Sequence, residues 1–374
     1  MTDANKKQNA LKLVKVSDIQ NLYINIGKSN HLILSPNIKF KHLGGTSSVI
    51  QFLCSWQRHH QEVFVILNDQ VNIGSNKLAK NEVLLVAFYL AKEVLFKGED
   101  IKADLLGRFI PFIESMNSES LKNYLSVKGN MTGKGKEFKF LFLNKARNEF
   151  LKFFYRDTEQ FKTKKEIEDF LGDLLKTPVS AIQKSQYTQN LNPIKEIIYE
   201  ILNNTDKHAR RDIKQALIPK NIRGFFLNFY DLNDNNRQSF VDNQPEYGYF
   251  LKNVMEVLVI SIFDSGEGIV KKYIETTSDK KEEAMSYEDK KNILLEVFLP
   301  KTTSSKVPNS GMGLNYTKKN IKKLKGLLSI KTNTLEYFLT PDENRGYKKT
   351  FEDCKPCVGT SVVMLIPLKF KEIE

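Results

Sequence analysis

Apolar and polar positions alternate in short, distinct patterns along the first third of the chain. LYINIG from Leu22 and EVFVILN from Glu62 are brief, β-rich and apolar, and they predict strands. Between them, SSVIQFLCSWQRHH carries Ile50, Leu53, Cys54 and Gln57 at helical spacing. NEVLLVAFYLAKEVLF, from Asn81, predicts one long apolar helix. These segments together predict an α/β unit over residues 1–125. SVKGNMTGKGKE, rich in glycine between 129 and 135, reads as a linker. EFKFLFLN then predicts a strand, while KARNEFLKFFY and KKEIEDFLGDLL predict helices. Residues 126–190 are thus expected to form a basic, partly helical connector, and 191–374 a second domain. No repeat of fixed period and no low-complexity tract interrupts the chain.

Composition narrows the class. The 374 residues are 41% hydrophobic and 27% charged, a globular balance comfortable for two domains. No apolar run reaches the ~18 residues of a membrane span, and the first residues lack the apolar core of a secretory signal. Three cysteines are too few for a disulfide framework and fit a reducing cytoplasm. The net charge of +13 favours polyanionic partners. One basic stretch, Lys122 to Lys152, interleaves Lys139, Lys145 and Arg147 with Phe138, Phe140, Phe142 and Phe150. It reads either as a solvated face or as a surface for salt-sensitive, non-specific nucleic-acid contact. A second, Lys301 to Lys325, contains no acid at all.

The N-terminal half carries no recognisable chemistry. His59 and His60 are adjacent on a helix and point about 100° apart, so they do not converge on one ion. The CxxC of Cys354 and Cys357 would need two further ligands to hold zinc, and Cys54 with scattered histidines is a poor source.

Chemistry concentrates after residue 190. PIKEIIYEILNNTDKHAR places Pro193 at a plausible first helical position and predicts an amphipathic helix on Ile194, Ile197, Ile198, Ile201 and Leu202. Glu200 and Asn204 share one face a turn apart, and Lys207 and His208 extend it. Such a stripe can hold a water, a hard cation and a phosphate, and it can equally be the wet side of a helix. VMEVLVISIFDSGEGI is a β-rich run that delivers Asp264 into a turn with Gly266 and Gly268. There a backbone free of Cβ atoms can approach a planar ligand. Further on, Ser310, Gly311, Met312, Gly313 and Leu314 open a basic helix, where freed N–H groups can cradle phosphate. Lys301, Thr302 and Thr303 precede them with ammonium and hydroxyl donors. Gly359 and Thr360 open a terminal strand, TSVVMLIPL. The loop TPDENRGYKKTFEDCKPC is expected to interrupt the last strands.

In this order, over residues 190–370, the pieces resemble the GHKL ATPase superfamily, named for gyrase, Hsp90, histidine kinases and MutL. EILNNTDKHA resembles its N-box, DSGEGI its G1 box, FLPKTTSS its F-box and early lid, NSGMGL its G2 box, and VGTSVVMLIPL its final Gly-Thr strand. The resemblance is to the histidine-kinase style. It implies an α/β sandwich of the Bergerat type, a mixed sheet covered by helices, binding ATP and Mg²⁺ under a mobile lid. It further implies that Asn204 ligates Mg²⁺ and that Lys207 and His208 neighbour the phosphates. Asp264 would accept the adenine amine, with Gly266, Gly268 and Ile269 shaping the turn around the ring. Lys301, Thr302, Thr303, Ser310, Gly311, Met312, Gly313 and Leu314 would form the lid side, and Thr360 would stand at the adenine end. Glu200 matches the general base of the hydrolysing members.

Three uses of the nucleotide follow. The leading one is a slow hydrolase that drives a lid or dimer switch and changes what the N-terminal half presents to a second copy or a partner protein. A kinase in bacterial signalling, acting on serine or on a histidine of a separate partner, is the second, since no phosphoacceptor-type helix precedes residue 192. A nucleotide-gated nucleic-acid-binding module is the third.

Overall fold

The structure is a computed structural model. It describes residues 10–15, 19–39, 43–68, 81–118, 121, 122, 124, 137–144, 150–156, 159–176, 184–277, 281–299 and 313–371. The linker around residues 129–135 lies outside the described residues, as do Lys301, Thr302, Thr303, Ser310, Gly311 and Met312.

The first half is built from β1 (Leu11–Lys15), α1 (Ile19–Ile24), β2 (His31–Lys39), α2 (Gly45–His60), β3 (Phe64–Leu67), α3 (Glu82–Leu90), β4 (Glu93–Phe96), β5 (Glu99–Asp100), α4 (Lys102–Arg108) and α5 (Ile110–Met116). Its sheet runs in the order β1-β2-β3-β4-β5. The first three pairings are parallel and the last is antiparallel. Helices α2 and α3 make the crossovers that parallel neighbours require. Two expectations need correcting here. LYINIG is not a strand: Ile19, Leu22 and Tyr23 are buried at helical spacing while Ile24 is exposed, and the segment belongs to α1. The long apolar helix is shorter than expected, because α3 ends at Leu90 and Val94 and Leu95 continue as β4, paired with β3. A run that is apolar on all sides carries no period to separate the two conformations.

The second half comprises β6 (Glu137–Leu143), α6 (Lys164–Lys176), α7 (Lys184–Ala209), β7 (Ile222–Asp231), α8 (Asp234–Asn243), α9 (Gly248–Lys252), β8 (Val254–Asp264), α10 (Ile269–Thr277), α11 (Tyr287–Val297), α12 (Gly313–Lys323), β9 (Leu327–Asp342) and β10 (Gly346–Phe370). Its sheet runs β6-β7-β8-β10-β9. The expected mixed sheet is antiparallel in all four pairings, and the mixed one is the N-terminal sheet. Strand β6, from the stretch read as a connector, forms one edge of this sheet. The expected loop after Thr340 is a hairpin, since Gly346 pairs with Asp342 and the ladder continues to Asp353 opposite Leu335. Pro193 lies inside α7, not at its start. A proline costs the helix one N–H, and Leu191, Ile194, Ile197 and Ile198 bury one face straight through it. Residues 151–155 of KARNEFLKFFY form a turn, held by Tyr155 bridging Phe161.

Three of the four phenylalanines of the first basic stretch are core, and Phe150 is half-buried. Phe138, Phe140 and Phe142 are buried, and Phe140 packs against Tyr124, Phe153, Phe154, Phe170 and Phe225 at ring distances of 5.0–6.0 Å. Lys139 is equally committed, with Nζ 2.7 Å from Glu82 and 3.2 Å from Glu137. These aromatic rings are unavailable for stacking on bases.

Helix α2 joins the two halves. Its N-terminal turn lies on β10: Gly44 has φ +80°, and a Cβ there would come 2.9 Å from both methyls of Val363. Gln51 Nε2 donates to Val358 O at 3.3 Å, and Val358 N donates to Ser55 Oγ at 3.0 Å. Trp56, fully buried, donates to Ser29 O at 2.9 Å and ties the helix to its own sheet. No helix among the described residues is long and apolar enough to cross a membrane.

Phe140→Ala is expected to cost ~3–5 kcal/mol in chemical denaturation, the range for emptying a buried aromatic site. A loss below ~1 kcal/mol would mean that the aromatic cluster does not hold β6 in place.

Candidate nucleotide-binding cleft

Strand alternation decides which side chains meet. Along β10, Ser361 faces α2 through Ser47, while Thr360 and Val362 face the opposite side. Ile262 and Asp264 of β8 share that second side. Helix α7 crosses above it and contributes Ile201, Asn204, Thr205 and His208. The turn after β8 and helix α10 add Glu267, Gly268, Ile269, Lys272 and Tyr273, α11 adds Val297, and the start of α12 adds Gly313 and Leu314. Together they enclose about 940 Å³ of space open to solvent, with an apolar floor and a few convergent polar groups.

Eight residues expected from sequence line this cleft: Asn204, His208, Asp264, Gly268, Ile269, Gly313, Leu314 and Thr360. Gly266 stands behind the wall, its N–H donating to Asp264 Oδ1 at 2.8 Å. Glu200 lies a turn from Asn204 beside Gly313, where an added Cβ would approach Glu200 Oε2 and Asn204 Nδ2 at 3.1 Å each. Lys207 is exposed and does not line the cleft.

Asp264 is the chemical centre. It is buried, and burial raises its carboxyl to about 6, against the pull of the Gly266 and Thr360 N–H groups. Both of those amides bond to Oδ1, at 2.8 and 3.3 Å, so Oδ2 is left for the cleft. Glu200, half-buried, is also raised by burial, with Lys164 and Lys207 opposing. His208 is lowered to about 4, by burial and then by the cations Lys272 and Lys207, so its ring is neutral at pH 7. The Lys272 ammonium, itself lowered by burial, donates to His208 O and, at 3.3 Å, to Arg211 O.

The turn from Asp264 to Ile269 is held on every side. Ile222 N donates to Ser265 Oγ, and Ser265 N to Ile222 O, both at 2.8 Å. Asn221 Nδ2 reaches Ala209 O at 2.9 Å, which fastens the end of α7 to the same place. Asn333 Nδ2 donates to Glu267 O, and Ile269 N to Thr332 Oγ1, each at 2.9 Å. From the N-terminal half, the Arg58 guanidinium of α2 donates to the carbonyls of Gly266 (3.0 Å) and Ser265. Close approach makes two glycines obligatory. Gly359, at φ +70°, would place a Cβ 1.9 Å from Asp264 O, and Gly268, at φ +85°, would place one 2.4 Å from Asn333 Oδ1.

Sequence reading missed several of these groups. Arg223, buried on β7, donates through Nη1 to Tyr155 Oη (2.8 Å) and Asp206 Oδ1 (3.0 Å), and so fixes the helix that carries Asn204. Nothing local marks Arg58, Arg223, Lys272 or Asn333 as part of a site. A signal for Asp206 was present in its place between Asn204 and His208. Comparison with known proteins returned no match: no family model, no curated protein and no solved structure is similar to the chain.

Because the folded carboxyl of Asp264 is raised, its ionisation opposes folding above pH ~6, and the penalty fades as pH falls toward the ordinary value near 4. Asp264→Asn is therefore expected to raise the melting temperature of the ligand-free protein at pH 7.5, with the advantage shrinking by pH 4.5. A uniform offset at both pH values would show that the carboxyl is not raised.

Proposed function

We propose that the chain is a Mg²⁺-dependent, ATP-binding protein that slowly hydrolyses ATP and uses the nucleotide state as a conformational switch. What supports the reading is the convergence of one half-satisfied buried carboxylate, obligatory glycines and a helix-borne carboxamide on one cleft. An exocyclic amine suits Asp264 Oδ2, because an amine can donate to a carboxylate that backbone N–H groups already hold from the other side. Ile262, Val362, Ile201 and Leu314 supply apolar surface for a purine ring. Gly268 and Gly359 let the Asn333 side chain and the Asp264 backbone pack closely around the turn that carries the carboxylate.

At the other end, Asn204 would hold a Mg²⁺ ion through its carboxamide oxygen, a hard ligand suited to a hard cation that keeps most of its waters and takes phosphate oxygens. Bound there, the ion would supply charge neutralisation to the phosphates. Glu200, on the same helix face and raised by burial, would accept a proton from water. Neutral His208 would donate or accept a hydrogen bond without adding charge, and Lys272 would contribute a cation. Chemistry of this kind depends on positioning and electrostatics, so turnover should be slow and the useful event the closure around the ligand. Because α2 holds the carbonyls of Ser265 and Gly266, a shift of that turn would be felt in the N-terminal half.

Incubation with γ-labelled Mg-ATP is expected to release free phosphate. Label on the protein would make it a kinase, and neither outcome would leave a nucleotide-gated binding module. Glu200→Ala should bind a fluorescent ATP analogue normally while turnover falls by ~100-fold, and normal turnover would remove Glu200 as the base. ATP affinity of the unaltered protein should decline as pH drops below 6, where Asp264 takes up a proton. Binding that stays constant to pH 5 would remove Asp264 as the amine acceptor.

A further inference from the structure

Behind the cleft, on the strand that supplies Thr360, two thiols occupy one bulge. In a regular strand, residues three apart stand about 10 Å from one another. Here four steps along β10, from Asp353 to Cys357, oppose only two on β9, from Leu335 to Asn333, so the strand buckles between them. The buckle puts Cys354 and Cys357 on one side of the strand, facing the same residue of β9. Both sulfurs also address one acceptor, the carbonyl of Asn333, at 4.0 and 3.2 Å. Cys357 is buried, and Cys354 is partly exposed beside exposed Lys355 and Pro356. All three cysteines are in the thiol state.

Asn333 is the connection to the cleft. It stands at φ +53°, in the left-handed region that asparagine adopts more readily than other side-chain-bearing residues, and its contacts hold it there. Its side chain bonds Glu267 O (2.9 Å), Lys271 N (3.3 Å) and Thr332 Oγ1 (3.1 Å), and its Oδ1 fills the space a Cβ at Gly268 would need. One residue therefore carries the thiol pair on its main chain and the nucleotide turn on its side chain.

We propose that Cys354 and Cys357 form a redox modification site, in which a peroxide joins them as a disulfide and thereby weakens the hold of Asn333 on the turn that binds nucleotide. The cleft end of this proposal rests on the nucleotide reading above. The thiolate of Cys357 attacks one peroxide oxygen, the O–O bond breaks, and a sulfenic acid and hydroxide result. The Cys354 thiol then attacks the sulfenic sulfur, loses its proton and expels water. Two thiols and one peroxide yield one disulfide and two waters. The site favours the first step: neighbouring Cys354 lowers Cys357 despite burial, with buried Lys331 assisting, whereas isolated Cys54 is raised to about 12. Among the described residues, no group of three or more side chains of the metal-ligating types joins the pair. Oxidation takes both S–H donors from Asn333 O and contracts the bulge to disulfide geometry, which disturbs the main chain of the residue that holds the turn.

The test uses the full chain, reduced and then treated with a few equivalents of hydrogen peroxide. Peptide mapping should find the 354–357 segment lighter by two hydrogens. A fluorescent ATP analogue should bind several-fold more weakly, with both changes reversed by dithiothreitol. Cys354→Ser and Cys357→Ser should bind as the reduced protein does and ignore peroxide. Absence of the internal disulfide overturns the proposal, and so does a disulfide that leaves affinity unchanged. If the reduced protein binds no ATP analogue, that failure belongs to the nucleotide reading. Amide exchange at residues 266–271 then decides: faster exchange after oxidation upholds the link through Asn333, and unchanged exchange overturns it.

Discussion

The burial of one carboxylate organises this molecule. Asp264 ends the central strand of the C-terminal sheet, and among the described residues no lysine or arginine is bonded to it. An ionised group in that position costs free energy unless donors meet it. The donors are main-chain N–H groups, and they reach Oδ1 only because the chain turns sharply at Gly266 and passes close at Gly359. Much of the surrounding architecture serves to keep that turn in place. Arg58 approaches from α2, Asn221 and Ile222 from β7, and Thr332 and Asn333 from β9. A turn held from three elements presents its remaining oxygen to the cleft with little freedom to lose on binding.

The same constraint explains how the two halves come together. The C-terminal sheet is apolar on both faces, as Ile262 and Val362 on one side and Phe263 and Val363 on the other illustrate. One face carries the cleft and its helices. The other is covered in part by α8 and α9, whose Phe240, Phe250 and Leu251 cluster with Val259, Val363 and Leu365, and in part by α2, whose capping Gly44 and whose Ser47, Gln51 and Ser55 meet β10 directly. Hydrophobic burial supplies the attachment, and the Arg58 guanidinium adds direction by reaching the far end of the same strands.

Legibility in the sequence followed the range of each interaction. Groups whose role depends on near neighbours could be read directly: Asn204 at helical spacing from His208, Asp264 in a glycine turn, and Gly313 at a helix start all stand at the cleft. Groups whose role depends on distant partners could not. Arg223 meets Asp206 across 17 positions and Arg58 meets Gly266 across 208, and no period or motif encodes such pairings. Where local pattern was ambiguous, tertiary packing decided. The apolar run after Asn81 divides into α3 and β4 because β3 offers a parallel neighbour, and Pro193 sits inside a helix because the buried face on either side outweighs one missing bond. The edge place of β6 was hidden for the same reason, because its partner β7 begins 79 positions after it, a separation invisible to any window.

That edge strand has a practical meaning for dissecting the protein. Glu137–Leu143 pairs along most of β7, and its Phe140 stacks on Phe225. A fragment cut at residue 190 would retain every motif of the cleft yet leave β7 with a bare row of N–H and C=O groups beside an uncovered aromatic layer. Such a fragment would present an open template for strand addition, so insolubility on truncation would report a missing neighbour and say nothing against the cleft itself.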